Sequence, residues 1–350
     1  MKKNWFTTVS LIVFCIALSA CAAPNKNILT DGASPKELKK TIYIGQTNIA
    51  SSINPTDSGV PWSLTSHGIS ENLYMLNEKG ELVSRMIDEL EQFDQNNWKA
   101  TLKGDVFFSD GSPVNADAIV ESMNRILAEN SFSNSTAGKM EFTKVDEYTF
   151  NISTERPTKL MQSVLAEWTY IVFKETDEGK FIFTGPYMVN AFNAGVELKL
   201  SPNPYYPDAD KRSNVVIKVF RDTNAMKLAY ESGDIDMAFT ITPEVAEMLE
   251  EQGFTVKNID AGYQYFAIVN MENEPLDDLN VRSAVNEALS RNDMIQALHG
   301  GRIATGAFAQ YYSFAGNLTI ESNMDDAKKQ MLEAGWSYNT DGFLEKNGEN

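Results

Sequence analysis

Apolar residues recur along this chain with two periods, and the change from one to the other marks its elements. From Asn97 to Lys103, Trp98, Ala100 and Leu102 alternate with polar residues, as in a strand with one buried face. A short β segment is expected at Val106 to Phe108. Asp110-Gly111 then marks a turn, because glycine reaches positive φ at little steric cost and aspartate bonds its own local backbone. Beyond it the period lengthens: Ala116, Ile119, Val120, Met123, Ile126 and Leu127 share one helical face, with Asn115 placed to cap it.

The same pattern extends along the chain. Strands are expected at Thr41 to Thr47 and Val215 to Phe220. Hairpins are expected about Gln95-Asn96 and about the acidic turn Asp146-Glu147, and an apolar strand at Tyr263 to Met271. Helical spacing predicts helices around His67 to Leu76, at Leu160 to Leu165 and at Ala327 to Ala334. A helix capped by Asp222 stops at Gly233, another starts at Thr242-Pro243, and Ser290 with Asp293 forms a capping box.

A chain of 350 residues can bury a large core and should form about two domains. The formal charge of −18 argues against nucleic acid as a partner, since neutralising phosphates requires clustered Lys and Arg.

Met1 to Ala20 stands apart, with Lys2 and Lys3 ahead of an apolar run, Leu11 to Leu18, too short to span a membrane. It reads as a secretory signal. Leu18-Ser19-Ala20-Cys21 resembles the lipobox of bacterial lipoproteins, which implies acylation of Cys21 and a lipid anchor at the outer face of the membrane. Cys15 leaves with the signal, so no disulfide is expected. Residues 21 to 40, rich in Asn, Lys, Ser and Pro, read as a solvated tether.

Candidate chemistry is sparse. The sequence has two histidines, His67 and His299, no Cys/His spacing suited to zinc, and no HExxH, GxSxG, Walker A or GxGxxG pattern. No catalytic residue, metal ligand or cofactor site is expected. His67 reads as a satisfied histidine at a helix start, His299 as a residue facing a helix dipole, and Asp234 and Asp236 as turn residues after Gly233.

The run WKATLKGDVFFSDGSPVNADAIVESMNRI resembles the signature region of the peptide/nickel family of bacterial extracellular solute-binding proteins, family 5, the receptors that feed ABC importers. TGPY at 184 to 187, NPYY at 203 to 206, GDID at 233 to 236 and YFAIVNMENEPLDDLNVRSAVNEALSRNDMI are similar to later parts of that family. The resemblance implies an α/β, two-lobed periplasmic-binding-protein-like fold of the large three-part type. Lobe I would comprise 41–57 plus 184–262, an inserted subdomain 58–183, and the start of lobe II 263–350. Family members continue well beyond the match to Asn350, so the second lobe is expected to be incomplete, with Tyr263, Phe266 and Ile268 less covered.

The implied function is non-catalytic: a monomeric, lipid-anchored receptor that captures a short peptide and hands it to ABC permease subunits. A nickel or metal-chelate ligand is the alternative, as is a surface sensor without a transport role. By the resemblance, Ser58, Val60 and Trp62 in the loop after the first strand, and Tyr263 and Tyr265 on the inter-lobe strand, are ligand-binding candidates. Phe132 and Trp168 align roughly where the nickel-binding branch carries arginines, which favours a more apolar ligand.

Overall fold

The computed structural model describes residues 39–347 apart from 78, 260–263, 309, 311, 313 and 320. The signal, most of the tether, Cys21 and Tyr263 lie outside the described residues.

The described residues open with β1, Thr41–Gln46, and α1, Val60–Ser66. Pro61 suits the first turn of α1, where a backbone N–H has no intrahelical acceptor. This helix lies earlier than the expected span of His67 to Leu76. Gly68 has a φ of 68°, which ends helical geometry, and Tyr74–Leu76 (β2) pairs instead with Leu82–Ser84 (β3). Ile69 and Leu73 imitate helical spacing because both are buried in the core.

Ile87–Gln92 (β4) and Asn97–Leu102 (β5) form the hairpin expected about Gln95-Asn96, and Trp98, Ala100 and Leu102 are all buried. Val106 to Phe108 forms no strand. Phe107 makes a single bridge to Pro113, and Val114 N–H donates to the Val106 carbonyl at 2.9 Å, so the segment pairs only with its own return limb. Ala116–Glu129 (α2) follows, capped by the Asn115 side chain accepting from Ala118 N–H, with Ala116, Ile119, Met123 and Ile126 buried.

Met140–Lys144 (β6) and Thr149–Thr154 (β7) form the second hairpin, and Met161–Val164 (α3) a single turn of helix. Phe173–Glu175 (β8), Phe181–Phe183 (β9), Tyr187–Asn193 (β10), Glu197–Pro202 (β11) and Asn214–Val219 (β12) come next. Thr223–Ser232 (α4), capped by Asp222, leads through Met237–Ala238 (β13) to Pro243–Glu251 (α5). Thr242 holds the cap position of α5, but its hydroxyl makes no capping bond.

Two sheets organise these strands. One is antiparallel, in the order β4-β5-β7-β6. The other runs β10-β11-β12-β1-β13, with β1 parallel to both β12 and β13. Leu198, Leu200, Val215 and Ile217 of the second sheet join the same buried cluster as Trp98, Phe150 and Ile152 of the first. The Thr184-Gly185-Pro186-Tyr187 turn connects the two regions: Gly185 N–H donates to the Ile69 carbonyl and Tyr187 N–H to the Gly68 carbonyl, each at 3.0 Å.

Residues 264 to 271 do not form the expected strand. Tyr265, Phe266 and Ile268 are 96%, 77% and 86% exposed. An apolar run sets strand propensity, but a strand also needs a hydrogen-bonding edge, and among the described residues none pairs with this one. Leu279–Ala288 (α6), Arg291–Ala297 (α7) and Met324–Glu333 (α8) complete the helices. Ser290 caps α7 by accepting from Asp293 N–H, and α6 packs on α8 with Val281, Ala284 and Ala327 buried. Ser337–Tyr338 (β14) pairs with Leu344–Glu345 (β15).

Candidate functional site

The end of α2 lies against the loop that enters α1. That loop is internally tied: Asn54 Nδ2 and Ser52 Oγ donate to the two Asp57 carboxylate oxygens at 2.8 and 2.6 Å, and Val60 N–H donates to the Asp57 carbonyl at 2.9 Å. Asn130, at the C-terminus of α2 and 2% exposed, donates from Nδ2 to the Ser58 carbonyl at 2.9 Å. Its Oδ1 accepts from Phe132 N–H, also at 2.9 Å. One carboxamide therefore ties the Ser58 backbone to the Phe132 backbone.

Phe132 is held on its other side too. Ser133 Oγ donates to the Asn130 carbonyl at 2.8 Å, and the buried Tyr170 hydroxyl donates to the Ser133 carbonyl. Burial pushes the Tyr170 phenol well above its ordinary range, so it stays a donor. Trp168 precedes Tyr170 by two residues, and its ring centroid lies 5.7 Å from that of Phe132, inclined at 56°. Phe132 is 47% exposed and Trp168 half-buried, so the pair keeps a wetted face on a fixed backbone.

The other candidates divide. Ser58 is exposed and offers its carbonyl to Asn130; Val60 is 4% exposed and belongs to the core. Trp62, on the same helical turn, is 49% exposed. Tyr265 is not a core residue, and no described contact brings it to the Phe132–Trp168 pair. Two shallow depressions, of about 360 and 470 Å3, lie elsewhere: one among Phe93, Asn97, Glu141 and Asn151, the other among Arg291, Ile303, Leu318 and Glu321. None of the nominated residues lines either.

His67 stands at the end of α1 rather than its start. Nδ1 lies 2.5 Å from the Ser63 carbonyl and Nε2 lies 3.1 Å from the Gln46 amide at the end of β1. Burial lowers its pKa and outweighs the bond to Ser63, which favours the neutral ring, while both ring nitrogens face oxygens, the Ser63 carbonyl and Gln46 Oε1. Asp236 does more than shape a turn. Its carboxylate accepts from Lys39 Nζ and from Tyr43 N–H, the latter at 2.9 Å, pinning the start of β1. Among the described residues no group of three or more His, Cys, Asp or Glu converges as a metal site.

Asn130 is not among the residues nominated from the sequence. The Asn-x-Phe step, with a side chain able to accept from the N–H two residues on, was the available signal.

Residues 81–349 match the family model described as bacterial extracellular solute-binding proteins, family 5 Middle. The chain belongs to that family. Among its curated relatives, the oligopeptide-binding protein OppA of Bacillus subtilis is 23% identical over 341 residues, covering 86% of this chain and 62% of the relative. The periplasmic murein peptide-binding protein MppA of Escherichia coli is 24% identical, covering 84% and 60%. The chain thus spans about three fifths of the length of these family members. A solved nickel ABC transporter protein from Bacillus halodurans superposes with a TM-score of 0.67 at 25% identity, over 89% of this chain and 66% of the other. The α/β fold is that of the two-lobed family of periplasmic solute-binding proteins. Among the described residues no helix is long and apolar enough to cross a membrane.

Proposed function

We propose that this chain is the substrate-binding lipoprotein of an ABC importer, exported, anchored through Cys21, and capturing a short peptide between two lobes for delivery to a membrane permease. Membership of the family supports the receptor role, and the names of the relatives OppA and MppA support a peptide. The sheet containing β1 and β10 to β13 supports assigning 41–57 plus 184–262 to lobe I. The separate sheet of β4 to β7 supports an inserted subdomain at 58–183, leaving 263–350 to begin lobe II.

The observation that carries the peptide reading is the Phe132–Trp168 pair, half wetted and fixed beside the Ser58 to Trp62 segment. Aromatic faces accept varied apolar side chains and peptide planes, and they do not balance the charge of an anionic metal chelate. A nickel or chelate ligand is the second reading, favoured by the nickel ABC transporter protein among the structural neighbours. Binding itself requires no covalent chemistry: closure follows from tighter contact with ligand in one lobe arrangement than in another.

Calorimetric titration of the full chain with defined peptides of two to five residues, and separately with nickel and nickel–histidine, distinguishes the readings. Saturable heat from peptides is expected. Heat from nickel species alone overturns the peptide assignment.

A further inference from the structure

We propose that Asn130 is a positioning residue that sets the distance between the two parts of the ligand surface, the Ser58 to Trp62 segment and the Phe132–Trp168 pair. This deepens the peptide-receptor reading and rests on it for its ligand. Asn130 occupies the C-terminal cap of α2, with φ −91° and ψ 120°, where a polar side chain has no obligation to reach another element. Here it does: its donor and acceptor go to two different chain segments, each at 2.9 Å, and the residue is 2% exposed. The Asn130 end of both bonds is buried, while their partners Ser58 and Phe132 lie at the surface.

The circuit closes through the rings. Phe132 contacts Trp168, and Tyr170 returns to the Ser133 carbonyl. Within it the link to Ser58 runs through Asn130 Nδ2. The Phe132 side is braced independently by Ser133 and Tyr170, whereas among the described residues the Ser58 loop is hydrogen-bonded to this wall through the one Asn130 amide, with Val60 next to it packed in the core. Removing the donor while keeping the acceptor should therefore free one part of the surface and leave the other in place.

Asn130→Asp does this. Its carboxylate still accepts from Phe132 N–H but presents an anionic oxygen to the Ser58 carbonyl. Asn130→Ser is the second variant, used if the aspartate fails to fold; its hydroxyl accepts from Phe132 N–H and is too short to reach Ser58. Hydrogen exchange of the full chain without ligand is read first. Exchange at residues 54–60 should rise at least tenfold, with 131–133 protected as in the parent. Loosening of both segments, or of neither, overturns the proposal irrespective of ligand.

Peptide affinity is read second. About tenfold weaker binding is expected, together with an altered preference between peptides of different length, which mere loss of stability would not produce. Unchanged affinity and preference overturn the proposal. Absence of peptide binding by the parent chain overturns the peptide reading instead, and leaves the exchange result to decide whether Asn130 couples the two segments.

Discussion

The ring of Tyr205 rests on the backbone of Gly111: a Cβ at residue 111 would lie 2.5 Å from its Cζ and 2.8 Å from its hydroxyl. Gly111 also has a φ of 85°. The turn between β5 and α2 is therefore restricted to glycine twice over, once by its own backbone and once by the loop after β11. Gly111→Ala should destabilise by about 2 kcal/mol or more, from left-handed strain together with overpacking. Gly104→Ala, with nothing within 4 Å and no positive φ, should be neutral or slightly stabilising. Denaturant midpoints of both variants test this, and a Tyr205→Ala background should restore part of the loss at residue 111.

Phe132 and Trp168 should each matter to ligand more than to folding, because both keep exposed surface. Truncating either to alanine is expected to weaken peptide binding about tenfold, within the range of a central aromatic contact. The rings touch, so the double variant should lose less than the product of the single losses. Calorimetry on the three variants checks both statements. Wild-type affinity in both single variants would remove the pair from the ligand surface.

Asp236 should make stability depend on acid pH. Burial opposes its charge, but the bonds from Lys39 and from Tyr43 N–H prevail and hold the carboxyl below the usual range. A lowered folded-state pKa contributes stability above the unfolded value of about 3.9, and that contribution disappears as pH falls through the folded value. Asp236→Asn should accordingly be less stable than the parent at pH 7, with the gap closing in the acid range. Urea midpoints measured at several values between neutrality and about pH 3 test the trend; a gap that persists in acid would contradict it.

Tyr206 predicts the opposite limb. Burial, then its bond to Glu71, raises its pKa to about 12, despite the nearby guanidinium groups of Arg85 and Arg212. Its hydroxyl donates to Glu71 Oε1 at 2.7 Å and accepts from Arg85, joining the segments before β2 and β4 to the loop after β11. The stabilisation is complete below the unfolded tyrosine value of about 10 and is lost as pH rises toward the folded one. Tyr206→Phe should cost about 1 kcal/mol at neutral pH. It should also remove one of the late-ionising tyrosines from an ultraviolet titration, leaving the still more buried Tyr170.

Local features were legible and remote ones were not. The strand-turn-helix of β5 and α2, and the caps Asn115, Asp222 and Ser290, depend on neighbours a few residues away, so spacing reveals them. Placing α1 required knowing that Ile69 and Leu73 point into a shared core rather than along one helix. The 264 to 271 run has strand composition without a pairing edge, and composition says nothing about edges. Asn130, Asp236 and the Glu71–Arg85–Tyr206 cluster act across the fold, where sequence spacing carries no distance information. Phe132 and Trp168 were nominated through family resemblance alone, and their ring contact is a tertiary fact.

The first strand among the described residues, β1, sits inside its sheet with Thr41 beside Asn214 and Gly45 beside Ala238. Synthesis therefore releases a ribbon with one edge open until the polypeptide has grown past residue 219 and the other until it has passed residue 238, and closing such long loops is slow. The strand nearest the start of the sheet is thus among the last to be locked into it.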